Sequence, residues 1–521
     1  MTPLLQLFSN VVKGVISGFD RIVFKGYILP LMHKDGATSF LSRNNVLNKD
    51  YRDWVTKQTQ RIVEPAEKLA QTIDGQKITP IPSSATRKEI LAREREKQYD
   101  IETGLIGVWS ATESCLAYKA RYCAEKGFPQ LHMQHTKCKH LYFYFNHEQF
   151  GFMHIRLQTW FPYHIQICMN GREWLRRQLQ QHGIGFAALG NKFLHLEDYP
   201  SAQSLLDAQL DAKWSSLLKG FVPVVFPAMR SILGPSLSYY WTLWQSEWAT
   251  DYIFTHPKAI EPIWQAMLQH AFMTGTSTRI LRYLDRPLTA EGKPYANMNN
   301  DVLSRVLDFQ DGLRVRHWVD NNSVKVYTQQ NVLRIETTVN DPSMFKVYRH
   351  AQGESKRKPK RRLGLRKGVA DIPLRAQVSQ DINNRFEKQL ATFQTDTPLQ
   401  EAIGVLCKGR MQSGRRIRGL DITGKDRVLL LALSDPSFEL SGISNKTLRE
   451  KLFGQMGFRN LTDKQLSAKV SRQLRLLRDH GLIRKYPRQR KYCLTTKGRQ
   501  ITIALPVLLN ASLKELMNIA A

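Results

Sequence analysis

Cysteine and acidic residues are both scarce in this sequence. Six cysteines in 521 residues are too few for a disulfide framework, so we expect a reducing compartment in which the thiols stay free. Acidic residues number 45 against 76 lysines and arginines, which leaves a formal net charge of +31. A cationic excess of that size repels itself in a compact fold unless a polyanion binds, and nucleic acid is the usual polyanion.

Targeting signals and long apolar runs are also lacking. Residues 1–18 contain no basic segment followed by an apolar core, so neither a signal peptide nor a spanning helix is predicted there. The basic residues do not gather on one amphipathic helix beside a lipidation signal, which disfavours a membrane surface as the partner. We therefore expect a cytoplasmic protein that binds DNA, with RNA as an alternative and without a membrane partner.

The length and the hydrophobic patterning predict an α+β protein with more than one domain, because 521 residues exceed what a single core usually holds. We expect a mixed N-terminal body of antiparallel sheets and helices, a basic linker, and a C-terminal winged helix-turn-helix. The predicted divisions are an N-terminal α/β region, a central α+β body with two β meanders, a basic arm with a helix, and a DNA-binding domain (1–130, 131–350, 351–420 and 421–521).

Local patterns predict the main elements of the body. Residues 11–31 indicate two short strands joined near Asp20, and the aromatic and β-branched residues of 141–169 indicate a three-stranded meander. Residues 200–275 are predicted to be mostly helical, since their tryptophans stand near helical spacing. The sharpest strand signal covers 313–340, as three antiparallel strands joined by short polar turns.

The two faces of the strands at 313–340 differ in chemistry. Period-two alternation places apolar residues on one face, and on the other face Lys325, Tyr327, Arg334, Glu336 and Thr338. A carboxylate flanked by cations can hold a divalent metal against a phosphate, and a tyrosine beside it can attack a phosphodiester. The alternative is a solvated face held together by cross-strand ion pairs.

Metal-dependent nucleases bring carboxylates together from distant segments of the chain. The acidic candidates here are Asp20, Glu247, Asp251 and Glu336. The three that could meet are Asp20, Glu247 and Glu336, with Asp20 and Glu336 as metal ligands and Mg²⁺ or Mn²⁺ as the ion. The spacing in the sequence does not show whether the three converge. The alternative is that they cap helices or pair with arginines.

A separate cluster of metal-binding residue types comprises Cys123, His132, His135, Cys138 and His140. Its spacing matches no zinc finger, and histidines on the surface beside a strand are the preferred interpretation over a zinc site.

Two basic regions of the body are candidate contacts to nucleic acid. His154 and Arg156 alternate on one face of their strand, where they suit a phosphate or an exposed base. Residues 356–367 hold eight basic residues in twelve and no apolar face, which indicates a mobile arm. The arm residues expected to contact phosphate are Lys356, Arg357, Lys358, Lys360, Arg361 and Arg362.

The C-terminal region predicts three helices followed by a basic hairpin. Ser444 and Thr462 are predicted N-caps. The apolar stripe of the last helix leaves an outward face suited to a major groove, formed by Lys464, Lys469, Ser471, Arg472 and Arg475. The hairpin that follows carries Arg488, Arg490 and Lys491 near its tip, as a wing that lies along a minor groove or the backbone.

The segment LLRDHGLIRKYPRQRKYCLTTKGR resembles the end of the recognition helix, the wing and the closing LTxKG phrase of the MarR-type winged-helix family. The resemblance covers residues 421–500 and implies a DNA-binding module. MarR regulators are short dimers, which makes a homodimer one option for an oligomeric state that stays open. A non-catalytic, sequence-specific regulator is accordingly one functional hypothesis, although this chain carries a large body ahead of the module.

Two further resemblances concern the body. The segment VKVYTQQNVLRIETTVND is similar to a strand pair of rolling-circle replication initiators, and the matching residues are Lys325, Tyr327, Leu333, Arg334, Ile335 and Glu336. This implies a tyrosine nucleophile and a metal site, although the Asp-Lys that usually follows the tyrosine and the upstream His-hydrophobic-His motif are missing here. Nearly the whole chain, through FDRIVFKG, KHLYFYF and VLRIETTVNDP, resembles a widespread uncharacterised bacterial family associated with mobile elements.

These observations rank three hypotheses. A DNA-processing protein of a mobile element, such as a transposase or a replication initiator that uses metal-dependent phosphodiester chemistry, comes first. A non-catalytic DNA-binding regulator comes second, and an RNA-binding or RNA-guided component comes third.

Overall fold

The computed structural model describes most of the chain, namely residues 3–73, 75–81, 86–289, 294–295, 302–309, 312–351, 353–354, 359–391, 399–412, 414–435, 438, 442–455, 457–459, 461–486, 489–495, 497–498, 501–502 and 505. Four of the predicted nucleic-acid contacts lie outside these residues: Lys356, Arg357, Lys358 and Arg488.

Helices and strands both contribute substantially, so the predicted α+β class is confirmed. The strands are β1 (Val12–Tyr27), β2 (Thr79–Pro80), β3 (Gly104–Cys123), β4 (Phe128–His147), β5 (Gly151–Gln158), β6 (Ile165–Asn170), β7 (Phe186–Leu189), β8 (Lys192–Leu196), β9 (Tyr240–Phe254), β10 (Val302–Phe309), β11 (Gly312–Val319), β12 (Asn322–Gln329), β13 (Val332–Val339), β14 (Lys346–Arg349), β15 (Arg361–Gly364), β16 (Arg410–Gln412), β17 (Arg415–Ile417), β18 (Ile443–Ser444), β19 (Ile483–Lys485) and β20 (Lys491–Leu494).

The α-helices are α1 (Pro3–Leu7), α2 (Lys34–Arg43), α3 (Tyr51–Gln71), α4 (Lys88–Gln98), α5 (Gly171–Gln181), α6 (Tyr199–Ala208), α7 (Trp214–Val225), α8 (Met229–Leu233), α9 (Glu261–Met273), α10 (Ser277–Tyr283), α11 (Ile372–Leu390), α12 (Leu399–Cys407), α13 (Arg427–Ala432), α14 (Asn445–Leu452) and α15 (Asp463–Asp479). Within the described ranges, none of these helices has the length and hydropathy to cross a lipid bilayer.

One sheet of eleven strands organises the body. Its order is β10-β11-β12-β13-β9-β1-β6-β5-β4-β3-β2, so β9 lies between β13 and β1. All neighbours are antiparallel except β2 and β3. The sheet crosses the predicted boundary at residue 130. The predicted meanders at 141–169 and 313–340 are both confirmed as parts of this sheet, and the two faces predicted for 313–340 follow from the register, which pairs Lys325 with Glu336.

The first strand differs from its prediction. Residues 11–31 were expected to hold two short strands joined near Asp20, whereas β1 is one long strand that pairs with β9 over most of its length. A β-bulge between Phe19 and Arg21 leaves Asp20 without a partner on β9. A bulge bends a strand and changes the direction of a side chain without ending the hydrogen-bonded ladder. The polar residue Asp20 at this bulge therefore produced a sequence pattern like that of a turn between two strands.

The tryptophan-rich segment also differs from its prediction, because it is strand β9 and not a helix. Trp241 and Trp248 are both buried in the core although seven residues separate them. In an unbroken strand, side chains seven apart point to opposite faces. The register against β1 shifts at Trp244, which has no partner there, and this extra residue returns Trp248 to the core face.

Part of the predicted arm is ordered structure. Arg361 and Arg362 lie in β15, which pairs with β14, so the expectation of a mobile arm is wrong for this part. The next helix, α11, buries Ile382 and Phe386 in the core beside β13. Its Asn383 donates hydrogen bonds to backbone carbonyls of β9 and β13 at 3.3 and 3.2 Å. Residues from 361 to 391 therefore complete the body.

The C-terminal part has its own apolar core and its own small sheet. Along the chain, α13 comes first and is followed by β18, α14, α15, β19 and β20. The three strands form one sheet in the order β18-β20-β19. Ser444 and Thr462 both form capping boxes at the starts of α14 and α15, which confirms the two predicted N-caps.

Candidate metal centre and nucleic-acid surfaces

Three carboxylates from distant segments meet near the middle of the large sheet. Asp20 projects from the bulge of β1, Glu247 from β9 and Glu336 from β13, and one oxygen of each lies within 4.8 Å of the others. The convergence follows from the topology, because β9 is hydrogen-bonded to both β1 and β13. The sequence identified these three residues as candidates, and the structure brings all three together.

Two buried arginines hold this cluster in place. Arg334 donates to both carboxylate oxygens of Asp251, with Nε–Oδ1 at 2.5 Å and Nη2–Oδ2 at 2.8 Å, and to Oδ2 of Asp20 at 3.1 Å. Arg172 approaches Asp251 from the start of α5, with Nη2–Oδ2 at 3.2 Å. Arg334, predicted to be catalytic, therefore positions the carboxylates. Arg172 was not singled out from the sequence, although the Asn170 side chain that caps α5 fixes its place.

Glu336 is almost completely buried and forms both an ion pair and a hydrogen bond with neighbouring side chains. Lys325 forms an ion pair with its Oε1, and the Tyr327 hydroxyl donates to its Oε2 at 2.9 Å. Burial alone would raise the pKa of Glu336, but Lys325 and Arg334 lower it to about 2. The cross-strand ion pair named as the alternative is thus present, but on a face that is buried and not solvated, since Glu336 is 1% exposed.

The other two carboxylates differ from Glu336 in their ionisation. Burial raises the pKa of Asp20, and burial together with the charge of Glu336 raises the pKa of Glu247 to about 7. The Oδ1 atom of Asp20 is buried and makes no hydrogen bond to any residue that the structure describes. A buried carboxylate oxygen without a donor costs free energy, so this atom is suited to a ligand that supplies positive charge.

Cations surround the Tyr327 ring. Lys192 Nζ, the Arg314 guanidinium carbon and Lys325 Nζ lie 5.1, 4.3 and 5.8 Å from the ring centroid. Burial nevertheless raises the pKa of the Tyr327 hydroxyl well above its ordinary value. The hydroxyl therefore stays protonated at neutral pH unless further positive charge approaches it.

A cleft of about 570 Å³ leads to the carboxylates from the protein surface. Asp20 and Glu247 contribute to its wall, and its lining is otherwise rich in polar side chains: Arg21, Glu89, Arg93, Glu94, Lys97, His154, Asn170 and Asn191. The lysine and the two arginines of this lining suit a phosphate, and they stand among four carboxylates, those of Asp20, Glu89, Glu94 and Glu247.

The two predicted contacts on β5 have different environments. His154 lines the cleft, where burial lowers its pKa to about 3, so it is neutral at pH 7 and offers a hydrogen bond and no charge. Arg156 forms an ion pair with Glu113 at 2.8 Å and is not part of the cleft lining. Lys88 also pairs with Glu113, at 2.9 Å, and this contact fixes α4 against the sheet. Helix α4 thereby supplies one wall of the cleft, which the sequence did not reveal.

The predicted basic face of α15 is present. Lys464, Ser471, Arg472 and Arg475 are exposed and Lys469 is half-buried. A cleft of about 730 Å³ separates this helix from the β16–β17 hairpin, and six cations line it: Arg415, Arg416, Arg418, Lys469, Arg472 and Arg475. The arginines of this hairpin were not predicted as contacts, because the segment RRIR has no apolar periodicity that would indicate a helix or a strand. Arg490 and Lys491 are exposed at the β19–β20 hairpin, and Lys360, Arg361 and Arg362 are exposed on the body.

The candidate zinc residues do not form a metal site within the described residues, where the three carboxylates are the group with suitable geometry. Cys138 is joined by a disulfide to Cys115, so it is not available beside His132 and His135. The expectation that all thiols stay free is wrong for this pair. His140 is buried, and burial lowers its pKa to about 4.

Comparison of this chain with protein-family models, with curated proteins and with solved structures finds no match.

The affinity of the carboxylates for Mn²⁺ is expected to rise as the pH rises through about 7. Below that pH a cation must displace the proton of Glu247. In the absence of metal, Glu247 keeps its proton in the folded chain up to about pH 7, whereas in the unfolded chain it loses that proton near its ordinary pKa of 4.5. Between these two pH values, the contribution of Glu247 to the free energy of unfolding therefore falls as the pH rises. Titration calorimetry across this range measures the affinity, and Glu247→Gln should flatten its pH dependence. A flat profile in the wild type would contradict the shift.

Proposed function

We propose that this protein binds DNA and cleaves or transfers its phosphodiester bonds with the aid of a divalent cation held by Asp20, Glu247 and Glu336. The observation that carries the proposal is the convergence of these three carboxylates beside a cleft whose lining also includes two arginines and a lysine. Such chemistry is typical of transposases and replication initiators of mobile elements, the class that the resemblances of the whole chain and of β12–β13 suggest.

The donor set fits Mg²⁺ or Mn²⁺. Both are hard ions that prefer carboxylate oxygens, and soft or nitrogen donors do not take part in the cluster. Among the described residues, the Oδ1 atom of Asp20 has no hydrogen-bond donor. Burial raises the pKa of Asp20, and burial together with the charge of Glu336 raises the pKa of Glu247, so the anionic forms of both carboxylates lack full stabilisation. A cation would supply both the missing contact and the missing charge.

Each residue has a distinct part in this proposal. Asp20, Glu247 and Glu336 would hold the ion, whose positive charge would polarise a phosphate and stabilise negative charge on its oxygens. Arg334 orients Asp20, since it donates to Asp20 and to Asp251 together. The hydroxyl of Tyr327 donates a hydrogen bond to Glu336. In an attack by this tyrosine, its oxygen would bond to phosphorus while the bond from phosphorus to the leaving sugar oxygen breaks, and that sugar oxygen would gain the proton that the tyrosine loses. Water near the same carboxylates is the other possible nucleophile.

The C-terminal part supports DNA binding. We propose that this part is a winged helix-turn-helix, in which α15 would enter the major groove and the β19–β20 hairpin would form the wing. Its order of three helices and three short strands, with a row of cations exposed on α15, supports this proposal. The cationic cleft beside α15 adds a place for the sugar-phosphate backbone. The affinity for DNA is therefore expected to fall steeply with salt.

The second candidate is a non-catalytic DNA-binding regulator. It is favoured by the ion pair between Lys325 and Glu336, because a carboxylate already neutralised by a lysine can serve the fold alone. In that case the cluster would bind neither Mg²⁺ nor Mn²⁺.

The deciding experiment uses the purified full-length chain with single-stranded, duplex and hairpin DNA in Mg²⁺, Mn²⁺ or EDTA. We expect metal-dependent cleavage of at least one substrate and calorimetric binding of Mn²⁺ without DNA. If the protein binds DNA but neither cleaves it nor takes up metal, the enzymatic function is contradicted and the non-catalytic regulator is supported.

The variant Tyr327→Phe separates two mechanisms. If the tyrosine is the nucleophile, the wild type forms a covalent adduct with DNA, and the variant loses both the adduct and cleavage because phenylalanine has no oxygen to attack with. Denaturing gel electrophoresis with end-labelled DNA detects the adduct. Cleavage without an adduct in both proteins would assign the attack to water.

The variants Arg472→Ala and Arg475→Ala are each expected to weaken a specific duplex site by about 1–3 kcal/mol and random duplexes less, since bidentate contacts to guanine discriminate between bases. Fluorescence anisotropy with both DNA types measures the difference. Arg478→Ala is the matched control, because Arg478 is exposed on the same helix but does not line the cleft. Equal losses on specific and random DNA would show that the two arginines contact only phosphates.

A further inference from the structure

Two lysines and a tryptophan form a compact group at the edge of the site face. Trp244 is the unpaired residue of the β9 irregularity and is 37% exposed. Lys25 Nζ from β1 lies 3.5 Å from the indole centroid and Lys367 Nζ lies 4.8 Å from it. We call Lys25, Trp244 and Lys367 the lysine–tryptophan group.

The group has a rigid frame. The backbone N–H of Leu243 donates to the carbonyl of Lys367 at 2.6 Å, and Thr242 forms a β-bridge with Gly368. A side chain at Gly368 would lie 3.0 Å from the Tyr240 hydroxyl, so the glycine permits this close approach. Lys367 is thereby held over β9 and does not swing freely in solvent.

Positive charge accumulates here, and Lys367 interacts electrostatically with the carboxylate of Asp341 but does not form an ion pair with it. Among the described residues, neither Lys25 nor Lys367 takes part in an ion pair. Burial, with the charges of Arg156 and Lys367, lowers the pKa of Lys25 to about 8. Two ammonium groups on one indole repel each other, and cation–π contacts at exposed sites compensate only weakly. A phosphate would bind both by charge-assisted hydrogen bonds, which are stronger.

The group shares a face with the candidate metal centre. Along β1, Arg21 and Lys25 point to the same side because they are four residues apart, and on β6 they pair with Asn170 and Gln166. Arg21 and Asn170 line the cleft that leads to Asp20. Lys25 therefore lies about 13 Å further along the strand from Arg21.

We infer that the lysine–tryptophan group binds one nucleotide of a single-stranded segment of the DNA, and that a phosphate further along the same strand enters the cleft. The lysines take the phosphate, and the indole that they release stacks on the base. A single strand fits and a duplex does not, since paired bases keep their faces stacked on one another. This inference deepens the proposed function. It rests on the proposed function in one respect, which is that the bound DNA strand runs from the lysine–tryptophan group towards the cleft.

The test is binding of a short oligothymidine to the full-length protein in EDTA, measured by anisotropy and by photocross-linking through 5-iodouracil. We expect a cross-link at Trp244 and a loss of affinity of about tenfold or more in Trp244→Ala, with partial rescue by Trp244→Tyr. Lys25→Met and Lys367→Met should each reduce the slope of log affinity against log salt.

The controls are Tyr348→Ala and Lys346→Met, which alter exposed residues of β14 and should leave binding unchanged. Cross-links only elsewhere, together with wild-type affinity in Trp244→Ala, would overturn the inference. Because the assay contains neither metal nor cleavage, its result is independent of whether the three carboxylates are catalytic.

Discussion

Glu247→Gln is expected to lower the rate of metal-dependent DNA cleavage by about a thousandfold or more, because the amide removes a negative ligand while keeping the volume, and a bound ion contributes several kcal/mol to the transition state. Glu247 is the best of the three carboxylates for this test. Within the described residues it takes part in no ion pair, and its own side-chain contact is a long hydrogen bond from Gln245 at 3.5 Å. The fold should therefore survive.

Thermal unfolding and binding of duplex DNA serve as controls for this variant. Both should match the wild type, whereas the uptake of Mn²⁺ should be lost. If the variant cleaves DNA at the wild-type rate, Glu247 is not a ligand of the proposed metal centre. Glu336→Gln alone is less informative, since it strands the charge of Lys325, at a cost of about 3–5 kcal/mol. The pair Lys325→Met with Glu336→Gln removes both charges and separates folding from catalysis.

Arg334→Ala is expected to lower the free energy of unfolding by about 3–5 kcal/mol, because it leaves the buried charges of Asp20 and Asp251 without their main partner. Arg172 still contacts Asp251 in this variant but does not replace the contact to Asp20. Urea denaturation monitored by tryptophan fluorescence measures the change.

Arg361→Ala provides the matched control, since it breaks an arginine–carboxylate pair whose arginine side chain is 58% exposed. Exposed pairs contribute about 0–1 kcal/mol, so this variant should unfold close to the wild type. Similar losses in the two variants would mean that the contacts of Arg334 are worth no more than a surface ion pair.

Sequence alternation was sufficient to predict the chemistry of β12 and β13. Lys325, Tyr327, Arg334 and Glu336 lie on one face as expected, because a regular antiparallel pair preserves the two-residue period. The helix caps at Ser444 and Thr462 were predictable for a similar reason, since a capping box is local.

Features that depend on partners elsewhere in the chain were not predictable. The bulge at Asp20 is defined only by the register against β9, and the strand containing Trp244 was mistaken for a helix because its irregularity imitates helical spacing. The burial of the polar face was also hidden, since it depends on α5, whose Arg172 reaches Asp251 from a remote segment. Asp20, Glu247 and Glu336 could be proposed as a set but not shown to meet.

The central place of β9 in the sheet also bears on synthesis of the protein. Asp20 leaves the ribosome early, but its partner strand β9 and then β13 emerge much later, and α11 follows before the core beside them is covered. A nascent chain therefore carries isolated acidic side chains for most of its translation. The three carboxylates come together only when the body is nearly complete, so an unfinished polypeptide lacks the candidate metal centre.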